Sequence, residues 1–198
     1  MVVGLTGGIG SGKSTVANIF SKFENIAVYI ADIEAKKLMN SSLVIKEQLI
    51  QEFGEQSYVD NQLNRAYISK IVFKNRERLA KLNSIIHPEV RKHFFEFKEL
   101  NSSKAYILYE AAILFEAKAD VLCDKIITIF VDEKTRLKRV IERDKTTEVE
   151  VKNRMKNQWK DEKKIMLSNY LILNDNLTET SSQIHKIHNI LTNIPVKV

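Results

Sequence analysis

The distribution of glycine constrains the fold of this chain more than any other feature, because five of its six glycines lie within the first twelve residues. The residues from Gly7 to Ser14 follow the pattern G-x-x-x-x-G-K-[ST], and an apolar run at residues 2–5 comes directly before them. A helical pattern of apolar residues follows. A strand, a glycine-rich loop and a helix in this order are typical of a phosphate-binding loop. A chance glycine-rich turn is the alternative, and it would not explain the flanking strand and helix patterns.

The phosphate loop predicts a nucleoside triphosphate ligand. Backbone N–H groups of such a loop turn toward a phosphate, Lys13 can reach the β- and γ-phosphates, and the Ser14 hydroxyl can bind Mg²⁺. The predicted ATP-binding residues are Gly7, Gly8, Ile9, Gly10, Ser11, Gly12, Lys13, Ser14 and Thr15.

The net charge of +6 is concentrated in residues 134–164, which carry twelve Lys or Arg and six Asp or Glu. A basic segment favours an anionic partner, either a phosphate-rich small molecule or a nucleic acid. Trp159 is the only aromatic residue of this segment, whereas proteins that bind single strands stack bases on several rings. We therefore expect a small-molecule partner and no nucleic acid.

Cysteine content and hydropathy indicate where the chain works. The single Cys123 rules out an internal disulfide, which fits a reducing compartment. No apolar stretch approaches the roughly 20 residues of a membrane-spanning helix. We expect a cytoplasmic protein with no membrane partner, present as a monomer or a weak homo-oligomer.

Five short apolar runs, at residues 2–5, 27–30, 105–109, 126–131 and 170–173, alternate with helical patterns. This alternation predicts an α/β fold of the P-loop type, with three layers and a five-stranded parallel sheet flanked by helices. Ligands of such sheets bind at the carboxyl ends of the strands. The phosphate loop should therefore lie at that edge.

Two segments exceed what a crossover between strands needs. About 70 residues separate the second strand from the third, where a dozen would suffice. Their patterns are helical throughout, which predicts a helical substrate subdomain at residues 32–102. Residues 134–166 form a second helical segment, a candidate lid. The core of this single domain would then comprise residues 1–31, 103–133 and 167–198.

Three groups of charged residues could serve phosphoryl transfer. Asp32 follows the second strand and could orient or deprotonate an attacking hydroxyl, although an N-cap role is equally consistent with its position. Glu110 is the last residue of the third strand, a position from which an acidic residue can hold Mg²⁺ beside a phosphate loop. The alternative is a carboxylate at the strand end that is exposed to solvent. Arg139 and Arg143 are one helical turn apart and could both reach phosphates.

The chain resembles the dephospho-CoA kinase family over nearly its whole length. Residues 4–16 are close to that family's opening, and Ile30-Ala31-Asp32 resembles its Asp-Ala-Asp with the first acid replaced. Residues 110–116 resemble its Asp-x-Pro-Leu-Leu-Phe-Glu, with Glu110 for the aspartate and Ala112 for the proline. The pairs Val72-Phe73 and His87-Pro88 match the family's helical substrate domain, Arg139-x-x-x-Arg143-Asp144 resembles its lid arginines, and Arg154 and Gln158 fit its following helix.

The resemblance implies an activity and assigns roles. ATP, as MgATP, would phosphorylate the ribose 3′-hydroxyl of dephospho-CoA to give CoA and ADP, the final step of CoA biosynthesis. Asp32 would be the catalytic base, with Lys13, Arg139 and Arg143 as further catalytic residues. Arg143 and Asn174 would contact ATP, and Ser14 and Glu110 would serve the metal. The substrate-binding candidates are Asp32, Arg65, His87, Leu114, Phe115 and Glu116.

Two other enzyme classes share the phosphate loop. A different small kinase, for nucleosides or nucleotides, would have the same core without the Leu-Phe-Glu and His-Pro elements. A nucleotide-dependent switch, an ATPase or a GTPase, is disfavoured because Gly54 is the only glycine after the loop and no Asn-Lys-x-Asp motif occurs.

Overall fold

The computed structural model describes residues 1–72 and 75–194. Phe73 of the predicted Val72-Phe73 match and residues 195–198 at the end of the predicted core lie outside the described residues. The chain divides into two compact units. We call residues 1–30 with residues 101 onward the core unit, and residues 31–100 the helical unit.

The helices and strands follow one another along the chain in this order. The core unit begins with β1 (Val2–Gly7), α1 (Lys13–Phe20) and β2 (Ile26–Ile30). The helical unit contains α2 (Ala31–Ser41), α3 (Leu43–Phe53), β3 (Tyr58–Val59), β4 (Gln62–Leu63), α4 (Arg65–Val72) and α5 (Arg76–Leu100). The core unit then continues with β5 (Tyr106–Glu110), β6 (Lys125–Phe130), α6 (Glu133–Asp144), α7 (Glu148–Met155), α8 (Asp161–Met166), β7 (Tyr170–Leu173) and α9 (Leu177–Thr192).

The core unit contains the predicted five-stranded parallel sheet, in the order β2-β5-β1-β6-β7. The fold class expected from the alternating patterns is thus confirmed. Strand β1 pairs with β5 on one side and β6 on the other, and all six of its residues are buried. The phosphate loop therefore leaves the sheet from its central strand.

Apolar residues of the sheet and of two helices form one hydrophobic cluster. Val16 and Phe20 of α1 meet Ile184 and Leu191 of α9 in this cluster, together with residues of all five strands of the sheet. Their spacings of four and seven place each pair on one helical face. Burial of a side chain such as Phe20 contributes roughly 1.5–3 kcal/mol, so α1 is held firmly behind the loop.

The helical unit differs from its predicted all-helical content at one place. Strands β3 and β4 form a short antiparallel hairpin within the segment predicted to be helical throughout. The turn residues Asp60 and Asn61 have φ angles of 49° and 62°. Asp and Asn tolerate this left-handed region better than most residues, so the dipeptide was the signal for a two-residue turn.

Helix α5 spans 25 residues with Pro88 inside it. Its buried residues Leu82, Ile86, Val90 and Phe94 recur every four positions and form one apolar stripe within the helical unit. Among the helices of the described ranges, none has the length and apolar character that crossing a bilayer requires.

His188 of α9 is a buried polar residue in the core unit. Its Nδ1 atom lies 2.9 Å from the hydroxyl oxygen of Tyr106, and its ring stacks on Phe23 with 3.8 Å between centroids. Burial lowers the pKa of the His188 imidazole, and the nearby charge of His185 lowers it further. The folded protein therefore favours the neutral ring.

We expect the stability of the fold to decrease on acidification, in part through His188. Its folded pKa lies below the unfolded value of 6.5, so its contribution is complete above that value and is lost as the pH falls toward the folded pKa. Thermal unfolding between about pH 8 and about pH 5.5 measures the effect. The loss of melting temperature should be smaller in His188→Gln than in the wild type.

The exposed His185 on the same helix provides the control, since His185→Gln should retain most of the pH dependence. Burial also lowers the pKa of His87, so His87 adds to the pH dependence of the melting temperature in the wild type. The test is therefore the difference between variants. Equal slopes for wild type and His188→Gln would contradict the role given to His188.

Candidate active site

The backbone of the phosphate loop has a shape that requires glycine. Gly10 and Gly12 have φ angles of 81° and 92°, in the region where residues with a Cβ atom are strained. A Cβ atom on Gly10 would also lie 2.6 Å from the backbone oxygen of Arg136. The loop therefore packs closely against α6.

Lys13 begins α1 and bends back over the loop. Its ammonium group donates to the carbonyl oxygens of Gly7 and Gly8, at 2.9 and 3.3 Å. Ser14 and Thr15 are exposed in the first turn of α1, and the N-cap residue, Gly12, has no side chain with which to cap the helix. The unpaired N–H groups of a helix start attract anions, so the loop and α1 together can bind a phosphate.

Two hydroxyls next to the loop are buried without a hydrogen-bond partner in the part of the chain that the structure describes. They are the Oγ1 atom of Thr6 in β1 and the Oγ atom of Ser11 in the loop. Buried polar groups are nearly always paired in native proteins. Their position fits a loop that binds a polar ligand.

Asn174, predicted to contact ATP, links the end of β7 to the loop. Its side-chain amide donates to the Ser11 carbonyl oxygen at 2.6 Å and accepts from the Thr180 hydroxyl at 3.0 Å. Arg139 donates to the Asn174 backbone oxygen at 3.1 Å. Both predicted residues thus lie beside the loop, and the Asn174 amide is engaged in holding it.

Glu110 lies at the carboxyl end of β5 with 4% of its surface exposed. The alternative of a solvent-exposed acid is therefore wrong. Glu110 is in register with Leu5 of β1 and Ile30 of β2, in the centre of the sheet edge from which the loop leaves. A carboxylate here is well placed to serve the same ligand as the loop.

Asp32 belongs to the helical unit. It is exposed and is the second residue of α2, so it lies inside the first helical turn and is not the N-cap. Within this unit its negative charge raises the pKa of His87, while burial and the charge of Arg91 lower that pKa by more. Asp32 and His87 are therefore within electrostatic reach of each other. Arg65 is exposed at the start of α4. The roles of these three residues stay predictions.

Arg143, the other predicted lid arginine, pairs with an acidic neighbour. Its side chain is 62% exposed, its guanidinium lies 2.8 Å from Asp144, and Arg154 binds the same carboxylate at 2.7 Å. The hydrogen bond to Asp144 raises the pKa of Arg143. Its predicted contact with ATP stays a prediction.

The three substrate candidates after β5 are packed against their own unit. Leu114 is fully buried, and a Cβ atom on Gly4 would lie 2.9 Å from its Cδ2 atom. The Phe115 ring stacks on Trp159 with 5.8 Å between centroids. Glu116 accepts hydrogen bonds from the buried Lys164 at 2.9 Å and from the Trp159 backbone at 2.7 Å. Their predicted contacts with the substrate stay predictions.

Two further residues contact the loop: Gln158, which the family resemblance places only in the helix after the lid arginines, and Arg136, which was not predicted. Gln158 accepts a hydrogen bond from the Ile9 N–H at 2.8 Å, through its side-chain oxygen. Arg136 pairs with the buried Asp161 at 2.8 Å, and a Cβ atom on Gly8 would clash with its guanidinium. The only signal for Arg136 was the basic character of residues 134–164, which does not single out one arginine.

The described residues contain no group of three or more His, Cys, Asp or Glu side chains arranged to hold a metal ion. This finding concerns sites built wholly by the protein. Mg²⁺ is usually bound through one or two side chains together with substrate phosphates. Ser14 and Glu110 are oxygen donors of that kind.

Comparison with known proteins agrees with this geometry. A family model described as dephospho-CoA kinase matches residues 1–180. The chain is 38% identical over 180 residues to a dephospho-CoA kinase from Fusobacterium nucleatum, covering 90% of this chain and 92% of that protein.

Solved structures show the same fold. TT1252 from Thermus thermophilus is 27% identical with a TM-score of 0.83, over 99% of this chain and 98% of its own. Dephospho-CoA kinase from Campylobacter jejuni is 23% identical with a TM-score of 0.64, over 96% of both chains. On the extent of the family match and the identity to its named members, this chain belongs to the dephospho-CoA kinase family.

Proposed function

We propose that this chain transfers the γ-phosphoryl group of ATP to the ribose 3′-hydroxyl of dephospho-CoA, giving CoA and ADP. The observation that carries the proposal is the phosphate loop, with Lys13 folded over it, in a chain that matches the family model over residues 1–180. A cytoplasmic location and a monomeric or weakly oligomeric state are part of the proposal. Cys123 is half-buried, and burial raises the pKa of its thiol to about 12, which makes the thiol unreactive.

The proposed reaction needs groups that stabilise charge and one that accepts a proton. The 3′-hydroxyl oxygen attacks the γ-phosphorus, the bond from that phosphorus to the β–γ bridging oxygen breaks, and the hydroxyl proton passes to Asp32. Lys13 and the loop N–H groups stabilise the charge that develops on the phosphates. Arg139, which donates to the backbone oxygen of Asn174 beside the loop, adds positive charge.

The residues present fit a bound Mg²⁺ ion, because both candidates are hard oxygen donors next to the loop. Ser14 offers an exposed hydroxyl at the start of α1, and Glu110 offers a carboxylate on the strand beside β1. When bound, Mg²⁺ neutralises charge on the phosphates. The family has Asp at this position. The longer side chain of Glu110 affects whether it would contact Mg²⁺ directly or through a water molecule.

The direct test incubates the purified protein with MgATP and dephospho-CoA and measures CoA and ADP. We expect equal amounts of the two products, and no transfer when a nucleoside or nucleoside monophosphate replaces dephospho-CoA. Transfer to those acceptors instead would support a different small kinase. ATP hydrolysis without transfer to any acceptor would support a switch ATPase.

We expect Lys13→Met to lower kcat about 100-fold, the typical effect of removing one preorganised donor from a developing negative charge. Steady-state kinetics with saturating substrates measure it. Lys22→Met is the matched control, since Lys22 is an exposed lysine just beyond α1, and it should retain full activity. A Lys13→Met enzyme with unchanged kcat would contradict the role of the loop.

We expect Asp32→Asn to lower kcat by a factor of roughly 100 to 10,000, the range of general base catalysis, while the Kd for ATP changes little. Glu34→Gln is the matched control because Glu34 lies in the same first turn of α2 and pairs with Lys37. Its kcat should be normal. Equal kcat values for the two variants would show that Asp32 is not the base.

A further inference from the structure

Asp161 is a buried carboxylate at the phosphate loop. Its side chain is 8% exposed, and its Oδ2 atom lies 2.8 Å from Nη2 of Arg136. Burial raises the pKa of Asp161, and the positive charges of Arg136, Lys164 and Lys13 oppose that rise. One carboxylate therefore lies within electrostatic reach of three cations, one of which is the lysine of the phosphate loop.

The pair of Arg136 and Asp161 lies directly on the loop. A Cβ atom on Gly8 would clash with the Arg136 guanidinium and would lie 3.0 Å from Oδ1 of Asp161. Gly8 is one of the two residues whose carbonyl oxygen accepts from Lys13. The pair therefore contacts the same part of the loop as the lysine that is expected to bind phosphate.

The pair leaves hydrogen-bonding capacity unused. Within the described ranges, Nε of Arg136 and Oδ1 of Asp161 are buried and have no hydrogen-bond partner. Arg–carboxylate pairs frequently engage two N–H donors with two carboxylate oxygens. Here the guanidinium retains a donor that a second anion could use.

Gln158 also contacts the phosphate loop, through a neutral amide group. Its side-chain oxygen accepts the N–H of Ile9, the residue after Gly8. In phosphate loops such backbone donors bind phosphate oxygens. The segment after α6 thus brings an amide oxygen and a carboxylate to neighbouring residues of the loop.

We propose that Asp161 is the counter-anion of the phosphate loop when no nucleotide is bound, and that Arg136 exchanges Asp161 for the phosphates of the bound nucleotide. Arg136 is then a further catalytic residue, because it contacts the substrate phosphates. Asp161 is a positioning residue that holds the guanidinium beside Gly8. The proposal rests on the proposed function only in taking ATP as the ligand.

Charge explains why both residues are needed. A buried guanidinium without an anion is costly, so Asp161 stabilises the nucleotide-free protein. A triphosphate supplies its own negative charge, which attracts Arg136 and repels the carboxylate beside it. Arg136 should therefore favour nucleotide binding, and Asp161 should oppose it.

Opposite effects on ATP affinity test the proposal. We expect Arg136→Gln to raise the Kd for MgATP about tenfold, because a charge-assisted contact is lost. We expect Asp161→Asn to lower that Kd several-fold, because a competing charge is lost. Isothermal titration calorimetry measures both, well below the melting temperature of each variant. A purely structural ion pair would weaken binding in both variants.

Further variants keep the test specific. Arg136→Lys retains the charge, so its Kd should lie between those of the wild type and Arg136→Gln. Adenosine has no phosphates, so its affinity should be the same in all variants. The exposed pair of Glu148 and Lys152 in α7, with 2.6 Å between charged atoms, is the control. Glu148→Gln and Lys152→Gln should change the Kd for MgATP by less than about twofold.

Instability of one variant does not prevent the test. If Asp161→Asn does not fold, the double variant Arg136→Gln/Asp161→Asn leaves no unpaired buried charge, and it should bind MgATP more tightly than Arg136→Gln. Weaker ATP binding by Asp161→Asn, or an unchanged Kd in Arg136→Gln, would overturn the proposal. These readouts need no dephospho-CoA. Failure of this inference can therefore be told apart from failure of the proposed acceptor.

Discussion

The burial of strand β1 is the constraint on which the site depends. All six of its residues are buried, and parallel ladders to β5 and β6 hold it on both sides. Because every backbone group of a buried strand must be paired, β1 has little freedom to shift. The phosphate loop is attached to this rigid strand at one end, and the packing of α1 on the sheet fixes the position of the other end of the loop. A phosphate site built this way is organised before its ligand arrives.

Ion pairs in this protein fall into two classes with different consequences. The pair of Lys152 and Glu148 on α7 is more than half exposed, and such pairs contribute about 0–1 kcal/mol. Lys164 is fully buried and reaches Glu116 across the unit, and Arg136 meets Asp161 with both nearly buried. Removing one partner of a buried pair costs about 3–5 kcal/mol, because the other charge is left unpaired. Through Asp161 and Lys164, these two pairs link α8 to α6 and to the segment after β5.

Local patterns were sufficient for the parts of the fold that depend on neighbouring residues. The glycines of the loop, the five strands of the sheet and the helix after the loop were all predicted, because each follows from a short run of residues, although β7 has one exposed face where its apolar run indicated burial on both sides. The β3–β4 hairpin was missed although its Asp60-Asn61 turn is local, because the two strands are only two residues long. Such short strands carry too little alternation to outweigh the helical patterns around them.

Long-range contacts explain what those patterns could not predict about the site. Ile9 and Gln158 are 149 residues apart, and Ser11 and Asn174 are 163 residues apart, yet each pair is hydrogen-bonded. The sequence was enough to indicate a phosphate loop, its lysine and a basic segment, since each is a matter of composition and spacing. Which arginines of α6 lie at the loop depended on how that helix packs. Val140 and Arg136 face the loop residue Gly10, whereas Arg143, two turns from Arg136, pairs with Asp144 near the helix end. Sequence periodicity predicts the spacing of charges along α6, but the rotation of α6 about its own axis is set by its packing against the loop.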